Sequence, residues 1–138
     1  MQVQPYLDFD GRCDEAIEFY KNAIGAKVKM LMRFQDAPEG SCPGGKFPAE
    51  ILKKVMHAEI TIGSSTVNCS DGRCQAQAKF KGVCLSLLLS SDAEVERIFP
   101  RLAEGGTITM PLAKTFFASN FGMLTDRFGV SWMVIVRQ

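Results

Sequence analysis

Gly25-Ala26-Lys27-Val28-Lys29-Met30 is a stretch that occurs in a second version 80 residues later, as Gly105-Gly106-Thr107-Ile108-Thr109-Met110. In each version a glycine suited to ending a helix precedes a short run with the alternation of a β-strand. The same offset matches other parts of the chain: Val3–Phe9 with Val83–Leu89, Phe19 with Phe99, and Ala23 with Ala103. These matches predict a duplicated β-α-β-β-β unit.

A helix is predicted before each of these glycines, because apolar residues recur there at helical spacing. In the first copy they are Cys13, Ala16, Ile17, Tyr20, Ala23 and Ile24. The second helix opens with Ser91 and Glu94, which have the spacing of a capping box. Its apolar stripe is Val95, Ile98, Phe99, Leu102 and Ala103. Pro100 falls inside this helix, and an interior proline costs about 3 kcal/mol, so we expect a kink or a local break there.

The remaining pattern predicts strands and one long loop. The expected strands are Val3–Phe9, Ala26–Phe34, Val55–Ile62, Ser65–Ser70, Gly82–Leu89, Thr107–Met110, Phe116–Thr125 and Val130–Val136. Residues Gln35–Lys54 are rich in Pro and Gly without a clear period, and long loops in compact domains are often lids or contact surfaces. We therefore expect an α+β fold in one domain, residues 1–138, with module one at about 1–78 and module two at about 79–138. The sheet faces opposite the helices are expected to curl into a cup that holds a ligand.

Composition limits the classes of function. The net charge is +1, from 16 basic and 15 acidic residues, which favours neither nucleic acid nor an anionic membrane as a partner. No apolar run approaches the roughly 20 residues of a transmembrane helix, and Met1–Phe9 lacks the layout of a signal peptide, so we expect a cytoplasmic protein. The five cysteines are an odd number at irregular spacing, which favours a reducing compartment. The pair Cys69 and Cys74 has no second pair of zinc ligands nearby.

Four segments resemble the PhnB-like proteins: Pro5–Gly11, Glu15–Tyr20, Met56–Glu59 and Phe121–Trp132. These proteins belong to the vicinal oxygen chelate superfamily, with glyoxalase I, the bleomycin-resistance proteins and the extradiol dioxygenases. The resemblance spans nearly the whole chain, and its closing Thr-Asp-Arg-Phe-Gly-Val-x-Trp segment is specific. It implies two β-α-β-β-β modules that form an open curved barrel, usually in a homodimer, with the cavity inside the sheet.

The resemblance also implies where a metal would bind. In the metal-using members, His or Glu ligands hold a divalent ion, and here those positions fall near Pro5, near Val67 or Asn68, near Cys84 and near Met133. None of these residues is a His or a carboxylate, so we expect the usual divalent metal site to be missing and predict no cofactor. PhnB-like chains also carry the label of demethylubiquinone methyltransferase. The sequence lacks a Gly-rich turn between a strand and a helix, so we expect no S-adenosylmethionine-dependent activity.

His57 and Glu59 are the candidate catalytic residues, because positions two apart on one strand share a face. His57 is the sole histidine and could act as a base or a replacement metal ligand at neutral pH. The alternative is a hydrogen-bonded structural pair, for which a dimer contact is one location.

Further candidates would bind a substrate. Asn68 and Ser86 could orient a polar ligand, or could face the helices or solvent instead. Phe117, Phe121 and Trp132, with Phe116, could cover a ligand with flat apolar surface, although such residues commonly pack in the core. Two functions remain open. One is a metal-free protein that binds a small molecule, and the other is an enzyme of lyase, isomerase or oxygenase type that uses His57 and Glu59 on a small oxygenated metabolite.

Overall fold

The computed structural model describes residues 1–42, 44–72 and 79–138. The chain divides into two compact units, Met1–Ala78 and Lys79–Gln138. Cys74 lies outside the described residues, so the predicted Cys69 and Cys74 pair does too.

Unit 1 is a four-stranded sheet with one α-helix. Its elements are β1 (Tyr6–Asp8), α1 (Cys13–Ile24), β2 (Lys27–Arg33), β3 (Val55–Ile62) and β4 (Ser65–Ser70). The strand order is β1-β4-β3-β2, and β1 runs parallel to β4 while the other neighbours are antiparallel. The long loop between β2 and β3 begins with a 3-10 turn at Phe34–Asp36 and has another at Ala49–Ile51.

Unit 2 repeats this arrangement. Its elements are β5 (Cys84–Leu89), α2 (Asp92–Ala103), β6 (Thr107–Ala113), β7 (Ala118–Thr125) and β8 (Ser131–Arg137). The strand order is β5-β8-β7-β6, again with one parallel pair, β5 and β8. The predicted α+β fold with a duplicated β-α-β-β-β unit is confirmed.

Each helix covers one face of its own sheet with the apolar stripe that the sequence predicts. The buried residues of α1 are Cys13, Ala16, Ile17, Tyr20 and Ala23, and those of α2 are Val95, Ile98, Phe99 and Leu102. Burying one large aliphatic or aromatic side chain of this kind contributes about 1.5–3 kcal/mol. Gly122 on β7 allows α2 to approach closely, because a Cβ there would lie 2.8 Å from the Phe99 ring. Gly25 ends α1 in the left-handed conformation, with φ of 69°.

Several details differ from the prediction, and β1, for example, spans only Tyr6–Asp8 instead of Val3–Phe9. The expected local break at Pro100 is wrong, because α2 continues through this residue to Ala103. β6 extends past Met110 through Pro111 to Ala113, which is possible because an edge strand need not use every N–H group. β7 begins at Ala118 rather than Phe116, since the Thr115 hydroxyl accepts the N–H groups of Phe117 and Ala118 at 3.3 and 3.1 Å.

The open face of each sheet is defined here as the face turned away from that sheet's own helix. Cross-strand partners share a face, so the strand register shows which residues lie on it. Both β2 and β6 contain a register shift at the same place in the repeat. Val28 pairs with Ile60 but Met30 pairs with Glu59, and Ile108 pairs with Leu124 but Met110 pairs with Met123. As a result the two methionines lie on the open faces.

Candidate functional site

The open face of unit 1 carries a row of polar side chains across three strands. Tyr6 on β1 pairs with Asn68 on β4, and Asn68 pairs with Glu59 on β3. His57 lies two residues from Glu59 on the same strand and therefore on the same face. Their neighbours Ala58 and Ile60, on the opposite face, are 0% and 1% exposed. The alternation of β3 thus presents His57 and Glu59 together, as the sequence predicts.

Tyr6 fixes one nitrogen of the His57 ring. The Tyr6 Oη atom lies 3.0 Å from His57 Nδ1, and the two ring centroids are 5.6 Å apart. The phenol hydroxyl donates this hydrogen bond when Nδ1 carries no proton, which leaves the proton on Nε2. The second nitrogen faces a carboxylate, since His57 Nε2 lies 3.8 Å from Glu59 Oε1. The imidazole is thus held between a phenol and a carboxylate.

Glu59 and Asn68 complete the polar row. The Lys29 ammonium lies 3.7 Å from Glu59 Oε2, so the carboxylate lies between an imidazole and a cation. The side chains of His57 and Glu59 are each 29% exposed, which leaves them accessible to a ligand. Asn68 is 8% exposed, and its amide donates to the Gln4 side-chain oxygen at 3.0 Å. This row offers hydrogen-bond donors and acceptors together with one imidazole.

The other predicted binding residues lie in unit 2. Ser86 is exposed on β5 and pairs with Met133. Phe121 pairs with Ile135 on the open face and is 8% exposed. Its ring centroid is 5.1 Å from that of Phe117, which lies in the loop before β7. These aromatic residues form one continuous apolar patch on this unit.

Trp132 lies on the other side of the sheet. It pairs with Leu85 and Leu124, is 3% exposed and belongs to the face that α2 covers. Its indole N–H donates to Asp126 Oδ2 at 2.9 Å. The structure therefore places Trp132 in the core of unit 2, where its polar atom is satisfied by a turn residue.

The donor set at the positions that the resemblance assigns to a metal does not fit a hard divalent ion. Pro5 offers no side-chain donor, Val67 is 5% exposed and apolar, and the Asn68 amide is bonded to Gln4. Cys84 and Met133 offer sulfur, whereas hard cations take oxygen or imidazole ligands. Burial raises the pKa of the Cys84 thiol, and a hydrogen bond from the Met133 backbone partly offsets this effect. Within residues 1–42, 44–72 and 79–138, no three His, Cys, Asp or Glu side chains group closely enough to hold a metal ion.

Sequence reasoning missed Tyr6 as a member of the candidate site. Tyr6 as a whole residue is 55% exposed, yet its hydroxyl forms a hydrogen bond with a histidine 51 positions away. The alternation in β1 points to the face of Tyr6, because Leu7 is buried between two exposed neighbours and Tyr6 therefore lies on the opposite face. What the pattern lacked was the pairing of β1 with β4, which sets the distance to His57.

Comparison with known proteins identifies the family. The family model described as 3-demethylubiquinone-9 3-methyltransferase matches residues 1–135. The chain belongs to this family, the PhnB-like proteins. Protein YjdN of Escherichia coli (strain K12) is 35% identical to it, over 100% of this chain and 97% of that protein.

Several solved structures resemble this chain along nearly its whole length. The protein PA1353 from Pseudomonas aeruginosa is 42% identical with a TM-score of 0.85, covering 100% of this chain and 98% of that one. A putative 3-demethylubiquinone-9 3-methyltransferase, PhnB protein, from Bacillus cereus is 25% identical with a TM-score of 0.76, covering 99% of each chain. A glyoxylase/bleomycin resistance protein/dioxygenase domain from Frankia sp. EAN1pec shares the fold, with a TM-score of 0.62 at 16% identity over 100% of this chain and 93% of that one. The predicted resemblance to PhnB-like proteins is confirmed, and the superfamily is matched at the level of the fold.

A membrane-spanning helix is not found in the part of the chain that the structure describes, where both α-helices have 12 residues.

Proposed function

We propose that this PhnB-like chain binds a small oxygen-bearing molecule on the open face of unit 1, without the divalent metal of its metal-using relatives. The observation that carries the proposal is the 3.0 Å contact between Tyr6 Oη and His57 Nδ1, with Glu59 next to the other ring nitrogen. A hydrogen bond to one nitrogen of a histidine sets which tautomer the ring adopts. When Nδ1 accepts a hydrogen bond from Tyr6, Nε2 carries the proton and can donate it to a ligand.

The chemistry of these groups indicates the kind of ligand. His57 Nε2 can donate to a carbonyl or carboxylate oxygen, and Glu59 can accept from a hydroxyl group. A molecule with neighbouring hydroxyl and carbonyl oxygens would use both groups at once. Asn68 is the neighbour of Glu59 in the strand register, and its amide could contact the same ligand from β4.

The experiment is a thermal-shift screen of small hydroxy acids, diketones and phenols, run with and without EDTA. We expect a compound that raises the melting temperature equally in both conditions. The shift should be lost in His57→Gln and reduced in Tyr6→Phe, and it should persist in the control Lys21→Gln, which changes an exposed residue of α1. Stabilisation that survives His57→Gln, or that requires a divalent metal, would contradict the proposal.

A second candidate function is an enzyme of lyase, isomerase or oxygenase type on a similar metabolite. The observation that favours it is the continuous series of Tyr6, His57 and Glu59, because a histidine between a phenol and a carboxylate can accept a proton from a substrate and return it. Incubating each screening hit with the protein in D2O and following it by NMR separates the two candidates. Deuterium uptake or product formation by the wild type but not by His57→Gln would establish the enzyme, whereas binding without chemical change supports the binding protein.

We do not extend the methyltransferase activity in the family's description to this chain. Each described sheet is mostly antiparallel, whereas nucleotide-like cofactors are typically held at the carboxyl ends of parallel strands by a Gly-rich turn. S-adenosylmethionine belongs in the same thermal-shift screen, and we expect it to leave the melting temperature unchanged.

A further inference from the structure

Three methionines form a row across the open face of unit 2. Met110 on β6 pairs with Met123 on β7, and Met123 pairs with Met133 on β8. Directly paired residues on neighbouring strands have Cβ atoms about 4.5–5.5 Å apart, so flexible side chains can bring adjacent sulfur atoms together. The register shift between Ile108 and Met110 is what brings Met110 to this face.

A thiol adjoins this row at Cys84 on β5. Cys84 pairs with Ser131, which is two residues from Met133 on β8, so both sulfur-bearing residues lie on the open face. Ser86, two residues further along β5, pairs directly with Met133, so Cys84 and Met133 are diagonal neighbours on this face. Cys84 is exposed, and Met123 and Met133 are half-buried. One thiol and several thioethers thus share a single accessible surface.

Sulfur ligands select soft cations. Thiolate and thioether groups bind Cu(I) well, whereas divalent cations such as Mg²⁺ and Ca²⁺ require oxygen. Two of these sulfur residues, Cys84 and Met133, occupy the positions of unit 2 where the donor set fails to fit a hard ion. The same sulfur-bearing side chains that do not suit a hard divalent cation do suit a soft cation.

We propose that Cys84, Met133 and Met123 bind a soft monovalent cation of the Cu(I) type on the open face of unit 2. Cys84 binds as the thiolate and releases its proton to solvent, while the two methionines each donate a sulfur lone pair. No electron is transferred in this step. None of these three residues belongs to the ligand site proposed in unit 1.

The first test uses Ag(I) as an air-stable probe and the ¹³C-labelled ε-methyl groups of methionine as the readout. Cys42 and Cys74 are replaced by serine so that they do not compete, and Cys13 and Cys69 are each 0% exposed in the fold. We expect saturation at one Ag(I) per chain, with the methyl resonances of Met123 and Met133 shifting together. Single Met→Leu variants assign those resonances. Binding that leaves both methyl resonances unmoved would overturn the proposal.

The second test measures Cu(I) affinity by competition with a chromophoric chelator under anaerobic conditions. In the same background without Cys42 and Cys74, Cys84→Ser should abolish binding, and Met133→Leu should weaken it at least tenfold, because leucine has a similar volume but no sulfur. Met32→Leu is the matched control, since Met32 lies on the open face of the other unit, and it should leave the affinity unchanged. Equal affinity in Met133→Leu and the wild type would show that the thiol acts alone, and this would contradict the proposal. None of these results depends on His57, so failure here leaves the function proposed for unit 1 standing.

Discussion

The two units have the same strand order, and each has one buried aspartate whose carboxylate accepts hydrogen bonds from backbone N–H groups. The two aspartates differ in how far away in the sequence their partners lie. In unit 1, Asp71 is 0% exposed and follows the last strand. Its Oδ1 accepts the N–H groups of Gly11 and Cys13 at 2.9 and 2.7 Å, and its Oδ2 accepts the N–H of Val55 at 2.8 Å. These partners lie 16 to 60 positions away, so one carboxylate joins the start of α1, the start of β3 and the end of β4.

In unit 2, Asp126 is 3% exposed and lies in the turn between β7 and β8. It accepts the N–H groups of Phe128 and Val130 at 2.9 and 3.0 Å and the indole N–H of Trp132 at 2.9 Å. All three partners lie within six positions. The comparison shows that duplication preserved the path of the backbone, whereas the polar contacts that hold it are long-range in one copy and local in the other.

The largest predicted effect tests this difference directly. Asp71→Ala leaves three backbone N–H groups of distant elements without an acceptor, and we expect it to lower the free energy of unfolding by about 4 kcal/mol. Asp126→Ala should cost less, about 2 kcal/mol, because its partners lie within six positions and the turn can adjust locally. Urea denaturation followed by far-UV circular dichroism measures both values.

Glu50→Ala is the control for these two variants, since Glu50 is exposed in a short turn, and it should change stability by less than about 0.5 kcal/mol. If Asp126→Ala were as damaging as Asp71→Ala, the distinction between a long-range and a local contact would not hold. Native-state hydrogen exchange adds detail, because Asp71→Ala should speed exchange at Cys13 and Val55.

A smaller effect is expected from Trp132→Phe. The substitution keeps an aromatic ring in the core but removes the indole donor, which leaves Asp126 Oδ2 without this hydrogen bond. We expect a loss of about 1–2 kcal/mol, and the loss should shrink when the substitution is made in an Asp126→Ala background. Equal losses in the two backgrounds would mean that Trp132 contributes through packing alone. Circular dichroism is the appropriate probe, because this is the chain's one tryptophan.

The same contrast explains what the sequence could predict about the fold. The sequence Asp126-Arg127-Phe128-Gly129 by itself indicates the role of Asp126, because a turn aspartate bonds backbone groups a few residues further on. The hairpin of β3 and β4 was predicted at its observed bounds, Val55–Ile62 and Ser65–Ser70, since alternation and a Gly-Ser turn are local signals. Asp71 gave no comparable signal, because all three of its partners depend on how α1 and β3 meet in space.

The candidate site was predictable to the same extent. His57 and Glu59 share a face because they are two residues apart, and strand alternation alone shows this. Tyr6 joins them only through the parallel pairing of β1 with β4, which no local pattern determines. The row of Met110, Met123 and Met133 likewise depends on a register shift in β6, which changes the face that a simple alternation would assign.

The smallest predicted effect concerns the surface of unit 1, where Arg33 binds Asp14 of α1 through two hydrogen bonds of 2.8 and 2.9 Å. The hydrogen bond from Arg33 lowers the pKa of Asp14 below its usual 3.8. A carboxylate with a lowered pKa stabilises the fold above its unfolded pKa, and this stabilisation is lost as the pH falls through the folded pKa. Asp14→Asn should therefore cost about 0.5–1 kcal/mol at pH 7 and nothing at a pH below both pKa values, because the pair is solvent-exposed.

Glu104→Gln in unit 2 is the matched comparison for Asp14→Asn, since Glu104 lies 3.9 Å from Arg127 and its side chain is 76% exposed. We expect no measurable loss there at either pH, because a long and exposed ion pair gains little over water. Urea denaturation of both variants across this pH range gives the answer. If only Asp14→Asn lowers the free energy of unfolding in a pH-dependent way, then the two units differ in their surface ion pairs as well as in their buried aspartates. Equal losses in both variants would restrict that contrast to Asp71 and Asp126, because only these two carboxylates are shielded from solvent strongly enough for their partners to matter.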